Sequence, residues 1–67
     1  MEISIGRHVR ITDNYPDIKL RLQTGVIQAL PNAQHPDEYL IMLDGGITGD
    51  QRLAGRFIRI PAVFLRF

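Results

Sequence analysis

Residues 56–67 read RFIRIPAVFLRF, with all three phenylalanines of the chain interleaved with three arginines around one proline. A segment left in solvent gains nothing from such side chains, because fraying chain ends are ordinarily small and polar. The stretch is therefore expected to be built into the fold. Alternation through Ile58 and Ile60 predicts a strand, and Pro61 should end it because proline donates no ladder hydrogen bond. The next residues, PAVF, fit a single 3₁₀ turn, and LRF at 65–67 fits a short last strand.

Upstream, RHVRIT at 7–12 alternates, with Val9 and Ile11 on one side and His8, Arg10 and Thr12 on the other, as a half-buried first strand requires. The segment DNYPDIKLRLQ at 13–23 opens on turn-forming residues, and Pro16 biases Tyr15 away from the α region. A long loop follows from this, with Ile18, Leu20 and Leu22 tucking in on alternate positions. TGVIQAL at 24–30 predicts the second strand, with Gly25 marking a bulge or a close backbone approach. After the proline-rich loop PNAQHPDE, YLIML at 39–43 predicts the third strand. DGGITGDQ at 44–51 carries glycines that supply the positive φ of a hairpin turn. RLAGRFIRI at 52–60 then predicts the fourth strand, with a bulge at Gly55.

Five short strands in one 67-residue domain, with a long first loop and a one-turn element before the last strand, predict an all-β, five-stranded small barrel. IGRHVRIT, TGVI, YLIMLD and IPAVFL, in that order, resemble the layout of the SH3-like barrels. Those include KOW-type domains, the small ferredoxin-docking protein of photosystem I and the plasmid type II dihydrofolate reductases. The resemblance spans nearly the whole chain but rests on fold-making positions, so it implies architecture rather than activity. The reductases are tetramers whose active site is a shared pore lined by a Gln-Ile-Tyr segment. The matching place here reads Ile58, Arg59, Ile60, without the glutamine and tyrosine.

At this length folding hides only about 60% of the unfolded chain's surface, and a lone core is marginal. With no cysteine, disulfides and thiolate zinc sites are excluded, which leaves association as the staple. Register arguments point the same way. With Tyr39, Ile41 and Leu43 inward, Leu40 and Met42 face outward, and the reverse register exposes the other three; with Ile58 and Ile60 inward, Phe57 and Arg59 face outward. Leu40, Met42, Phe57 and Phe67 are thus expected to form an interface in a homo-oligomer, framed by Arg59 and Arg66, since arginine and aromatic residues are enriched at interfaces.

Chemical motifs are sparse. Ser4 is the single serine, and no Gly-x-Ser-x-Gly elbow occurs. DGGITGD lacks the Gly-Lys-Ser/Thr of a phosphate loop. His35, Asp37 and Glu38 lack the tight spacing of a metal site and fit an ordinary polar loop. Without tryptophan and with only Tyr15 and Tyr39, a polyproline-binding groove is not favoured. These residues imply no catalytic group, no metal and no cofactor.

Eight Lys+Arg against seven Asp+Glu give a net charge of +1, too small to announce nucleic acid. Seven of the eight cations are arginines, which pair bidentately with carboxylates and phosphates. Surface ion pairing is the plainest use of them. A groove beside the first loop is expected to offer Arg10, Tyr15, Arg21 and Arg59 as binding residues. With no apolar run long enough to span a bilayer and no secretory pattern in MEISIGRHVR, a soluble cytoplasmic protein is expected. The function expected first is a non-enzymatic, self-associating binding or assembly module. A KOW-like nucleic-acid-binding barrel, which needs its arginines on one face, and an oligomeric pore enzyme are the alternatives.

Overall fold

A computed structural model describes residues 3–45 and 54–67 of the chain. Five strands form one antiparallel sheet: β1 (His8–Ile11), β2 (Thr24–Ala29), β3 (Glu38–Leu43), β4 (Phe57–Pro61) and β5 (Leu65–Arg66), in the spatial order β4-β3-β2-β1-β5. The last strand returns to the first, pairing Arg10 with Arg66 and Ile11 with Leu65. Two 3₁₀ turns, Ile18–Leu20 and Ala62–Phe64, complete the described elements.

Alternation in each strand delivers one apolar face to a common core. Val9 and Ile11 from β1, Ile27 from β2, Ile41 and Leu43 from β3, Ile60 from β4 and Leu65 from β5 are buried together. Tyr15, Leu20, Tyr39, Ile58 and Phe64 pack against them. The core is rich in β-branched side chains, which fit a pleated surface and lose little rotamer freedom there. Nothing longer than a single turn is helical among the described residues, and none of their helices is long and apolar enough to cross a membrane.

The first loop is an excursion whose ends are tied together: Ile11 N–H donates to the Gln23 carbonyl at 2.8 Å, and Leu22 N–H donates to that of Ile11 at 3.1 Å. Within it, the Asp17 carboxylate accepts from Lys19 N–H at 3.0 Å and caps the first 3₁₀ turn. This turn corrects the expectation that Ile18, Leu20 and Leu22 all tuck in. Only Leu20 packs on the core, while Ile18 is 73% exposed and Leu22 is 52% exposed. A 3₁₀ turn rotates the chain by about 120° per residue, so positions two apart no longer share a face as they do in a strand.

Leu22 also holds φ at 64°, the left-handed region that costs an L-residue with a Cβ roughly 1–2 kcal/mol. Leu22→Gly is therefore expected to hold or raise stability by up to about 1 kcal/mol, the relief offsetting glycine's greater freedom in the unfolded chain. Urea denaturation checks this, and a loss of 2 kcal/mol or more contradicts it.

Gly25 takes the second of the two roles the sequence leaves open to it, and Gly55 is a turn residue rather than the expected bulge. Gly25, at the centre of the sheet, is a close approach: a Cβ there would stand 2.6 Å from the Met42 carbonyl oxygen. The bulge lies further along β2, between Ile27 and Ala29, where the register shifts from Ile41 to Leu40. Gly55, at φ 82°, turns the chain ahead of β4, which begins at Phe57 rather than at residue 52. Its N–H donates to the Leu43 carbonyl at 2.6 Å, and Leu43 N–H donates to that of Arg56 at 2.8 Å. The start of the expected fourth strand at 52–53 and most of the glycine turn at 46–51 lie outside the described residues.

The closing stretch folds as strand, 3₁₀ turn and strand. Pro61 is the last residue of β4, opposite Glu38, and Ala62 N–H then donates to the Asp37 carbonyl at 2.8 Å. Thr12 N–H donates to the Phe64 carbonyl at 2.9 Å and holds the second 3₁₀ turn against the end of β1. The three phenylalanines take three roles. Phe64 meets Tyr15 edge to face with ring centroids 5.2 Å apart. Phe67 leans on Tyr39 at 5.3 Å. Phe57 points away from the core and is 56% exposed.

Candidate functional site: the solvent face of the sheet

The face opposite the core is organised by cross-strand register, since directly opposed side chains on one face touch. One row runs His8, Val26, Met42, Phe57 across β1, β2, β3 and β4. The next row on one side runs Ala29, Leu40, Arg59. On the other side run Arg66, Arg10 and Thr24. Val26, Leu40 and Met42 are half-buried, and Phe57 is exposed at the β4 edge. The result is an apolar strip across the middle of the face, with Arg59 at one flank and His8, Arg10 and Arg66 at the other.

Of the expected interface residues, Leu40, Met42 and Phe57 are thus brought together. Phe67 is not: its ring lies against Tyr39, whose side chain belongs to the core side of β3. Of the expected binding residues, Arg10 and Arg59 share the solvent face but stand on β1 and β4, three strand spacings or about 14 Å apart across the sheet and on opposite sides of the middle row. Tyr15 and Arg21 belong to the first loop, where Arg21 Nε donates to the Tyr15 carbonyl at 2.5 Å and the Tyr15 ring packs on Phe64. These two hold the loop down. A groove of about 410 Å³ does lie beside that loop, but it is lined by Asp17, Lys19, Leu20, Leu43, Arg56, Phe57 and Ile58 and by none of the four.

A second cleft, of about 380 Å³, lies on the β1 flank of the solvent face and is lined by His8, Val9, Arg10, Thr24, Asp44 and Arg66. Thr24 Oγ1 donates to Asp44 Oδ1 at 2.7 Å, fixing one wall. Val26 and His8 escaped the sequence reading because alternation assigns a residue to a face without naming its neighbour. Only the register of β1 on β2 and β2 on β3 places them in one row with Met42 and Phe57.

In the 31–38 loop, the Asn32 carboxamide oxygen accepts from the N–H groups of Gln34 and His35, each at 2.9 Å, which is an Asx turn. His35 Nδ1 lies 3.2 Å from Glu38 Oε1. Among the described residues no three His, Cys, Asp or Glu side chains cluster as metal ligands.

Burial pushes the Tyr15 hydroxyl above its ordinary pKa of 10.0, with smaller contributions from the negative charges of Asp17 and Glu38. A raised folded-state value means that the fold favours the neutral phenol. That stability is fully present below pH 10.0, the ordinary value, and is lost as pH rises through the folded one. The melting temperature of Tyr15→Phe minus that of the unsubstituted protein should therefore grow more positive above pH 10.0. A difference that stays flat in thermal melts across that range contradicts the assignment.

No known protein family, characterised protein or solved structure matches the chain.

Proposed function

We propose that the chain is a small non-enzymatic assembly module, an SH3-like barrel that works through the solvent face of its sheet by pairing with a second copy. The observation that carries this is the row Val26, Met42, Phe57 with Leu40 beside it: four apolar side chains that the strand register sets side by side on the face opposite the core. Contiguous apolar patches on small soluble domains mark interaction sites. An apolar centre with arginines at the perimeter is the anatomy of a protein interface, where the centre loses water and the rim keeps it. A two-fold axis through Met42 lays the Val26 end of one row against the Phe57 end of the other, as a self-complementary surface requires. Burying the strip also adds to a core that is small for independent stability.

The direct test mixes isotope-labelled and unlabelled chains and detects contacts between copies by filtered nuclear Overhauser spectroscopy. Contacts between the methyl groups of Val26, Leu40 or Met42 on one copy and the Phe57 ring on the other are expected. Contacts confined to the β4 edge or to the first loop contradict the assignment.

One observation favours a second reading. Arg10, Arg59 and Arg66 all stand on the solvent face, the arrangement that a nucleic-acid-binding barrel of KOW type needs. On that reading Phe57 is a stacking platform for an unpaired base. A single-stranded RNA bound with an affinity that falls steeply with salt, by a chain that stays monomeric, replaces the assembly reading with this one.

A further inference from the structure

Arg10 on β1 and Arg66 on β5 are registered partners, directly opposite on adjacent antiparallel strands. Like charges in that position are destabilising. Neither guanidinium is held by a hydrogen bond or an ion pair among the described residues. Both line the 380 Å³ cleft together with His8, which lies two residues from Arg10 on the same face. On the opposite wall the Thr24 hydroxyl spends its proton on Asp44 and so faces the cleft with acceptor character, beside the Asp44 carboxylate. The cleft is thus divided, with two fork-shaped cationic donors on one side and oxygen acceptors on the other. It is an open groove on the sheet surface rather than an enclosed cavity.

We infer that this cleft binds a small phosphorylated hydroxy compound, with its phosphoryl group between the Arg10 and Arg66 guanidiniums and a hydroxyl directed to the Thr24–Asp44 wall. Two planar guanidiniums offer paired N–H donors that match phosphoryl oxygens. A dianion between them turns the cross-strand repulsion into attraction. The acceptor character of the Thr24 oxygen explains why the ligand carries a donor: a hydroxyl a few bonds from the phosphorus meets that oxygen as a hydrogen-bond donor. The site lies beside the apolar strip rather than on it, and it uses one chain only, so it stands whether or not the copies pair.

The test is a ¹H–¹⁵N titration of the full chain with three additions: ribose 5-phosphate, inorganic phosphate and single-stranded oligothymidine. Ribose 5-phosphate is expected to give saturable shifts at His8, Arg10, Thr24 and Arg66, with inorganic phosphate weaker at the same residues. Arg10→Gln and Arg66→Gln should each weaken ribose 5-phosphate binding at least about tenfold, the usual scale for losing one charge-assisted contact. Arg59→Gln, on the far flank, should leave it unchanged. All three substitutions are at exposed positions, and the dispersion of each spectrum reports that the variant is folded. Shifts that do not saturate, a loss in Arg59→Gln equal to that in Arg66→Gln, or saturable binding of oligothymidine alone overturns the inference.

Discussion

Gly25→Ala is expected to cost about 3 kcal/mol or more, and Gly25→Val to leave the chain unfolded at room temperature. The added Cβ would meet the Met42 carbonyl oxygen at 2.6 Å and Ile41 Cγ2 at 2.7 Å, closer than real Cβ contacts come. The first of these neighbours is backbone and cannot rotate away. β2 cannot retreat either, since at this level it is held between β1, where Val9 is the registered partner of Gly25, and β3, where Leu43 is. Overpacking a rigid site costs about 1–3 kcal/mol and sometimes more. A domain of this length is stable by about 3–10 kcal/mol in all. Valine adds two further methyl groups to the same collision. Urea denaturation followed by circular dichroism checks both variants, and a wild-type midpoint for Gly25→Ala contradicts the close approach.

Met42→Glu is expected to weaken association at least a hundredfold while leaving the sheet formed, which corresponds to about 2.7 kcal/mol. Met42 is the centre of the apolar row, with Val26 on one side and Phe57 on the other, yet its side chain faces away from the core. In a separate chain a glutamate there keeps much of its water. In a paired one, two carboxylates enter the dry centre of the interface, and unpaired buried charge is far more costly than lost apolar contact. Leu40→Glu should act in the same direction. Sedimentation at matched concentrations separates the outcomes: a species of unchanged mass contradicts the placement of the interface, and loss of strand signal contradicts the outward orientation of Met42.

The strands were legible where period-two alternation met a clear boundary. His8–Ile11 is bounded by Gly6 and by the turn residues after Thr12. Thr24–Ala29 is bounded by Pro31. Glu38–Leu43 lies between Pro36 and Gly45. The second 3₁₀ turn and β5 were legible because Pro61 cannot continue a ladder and the residues after it fit one turn and a short strand. The outward orientation of Leu40, Met42 and Phe57 was also legible, because one strand cannot turn adjacent residues to the same side.

Three things were hidden. The first loop's alternation at Ile18, Leu20 and Leu22 imitates a strand, and only the Asp17 cap and the tie from Leu22 to Ile11 make it a turn. Gly55 read as a strand glycine because Arg52 to Ile60 alternates in its second half. A glycine at positive φ and a glycine at a close approach carry the same letter. Finally, the cleft between Arg10 and Arg66 joins residues 56 positions apart in the chain, and no local pattern reports that β5 returns to β1.

Chemistry and assembly therefore rest on register. Slipping β3 by one residue against its neighbours would send Leu40 and Met42 inward and dissolve the strip. The strip itself follows from the number of apolar side chains on strands of four to six residues, more than one face can take.

The measurement that bears most directly on the account is the mass of the unsubstituted protein in solution at micromolar concentration, by size exclusion with light scattering. A multiple of the 7.6 kDa chain mass, lowered to that of one chain by Met42→Glu, is the predicted result. A mass of 7.6 kDa for the unsubstituted protein would contradict it.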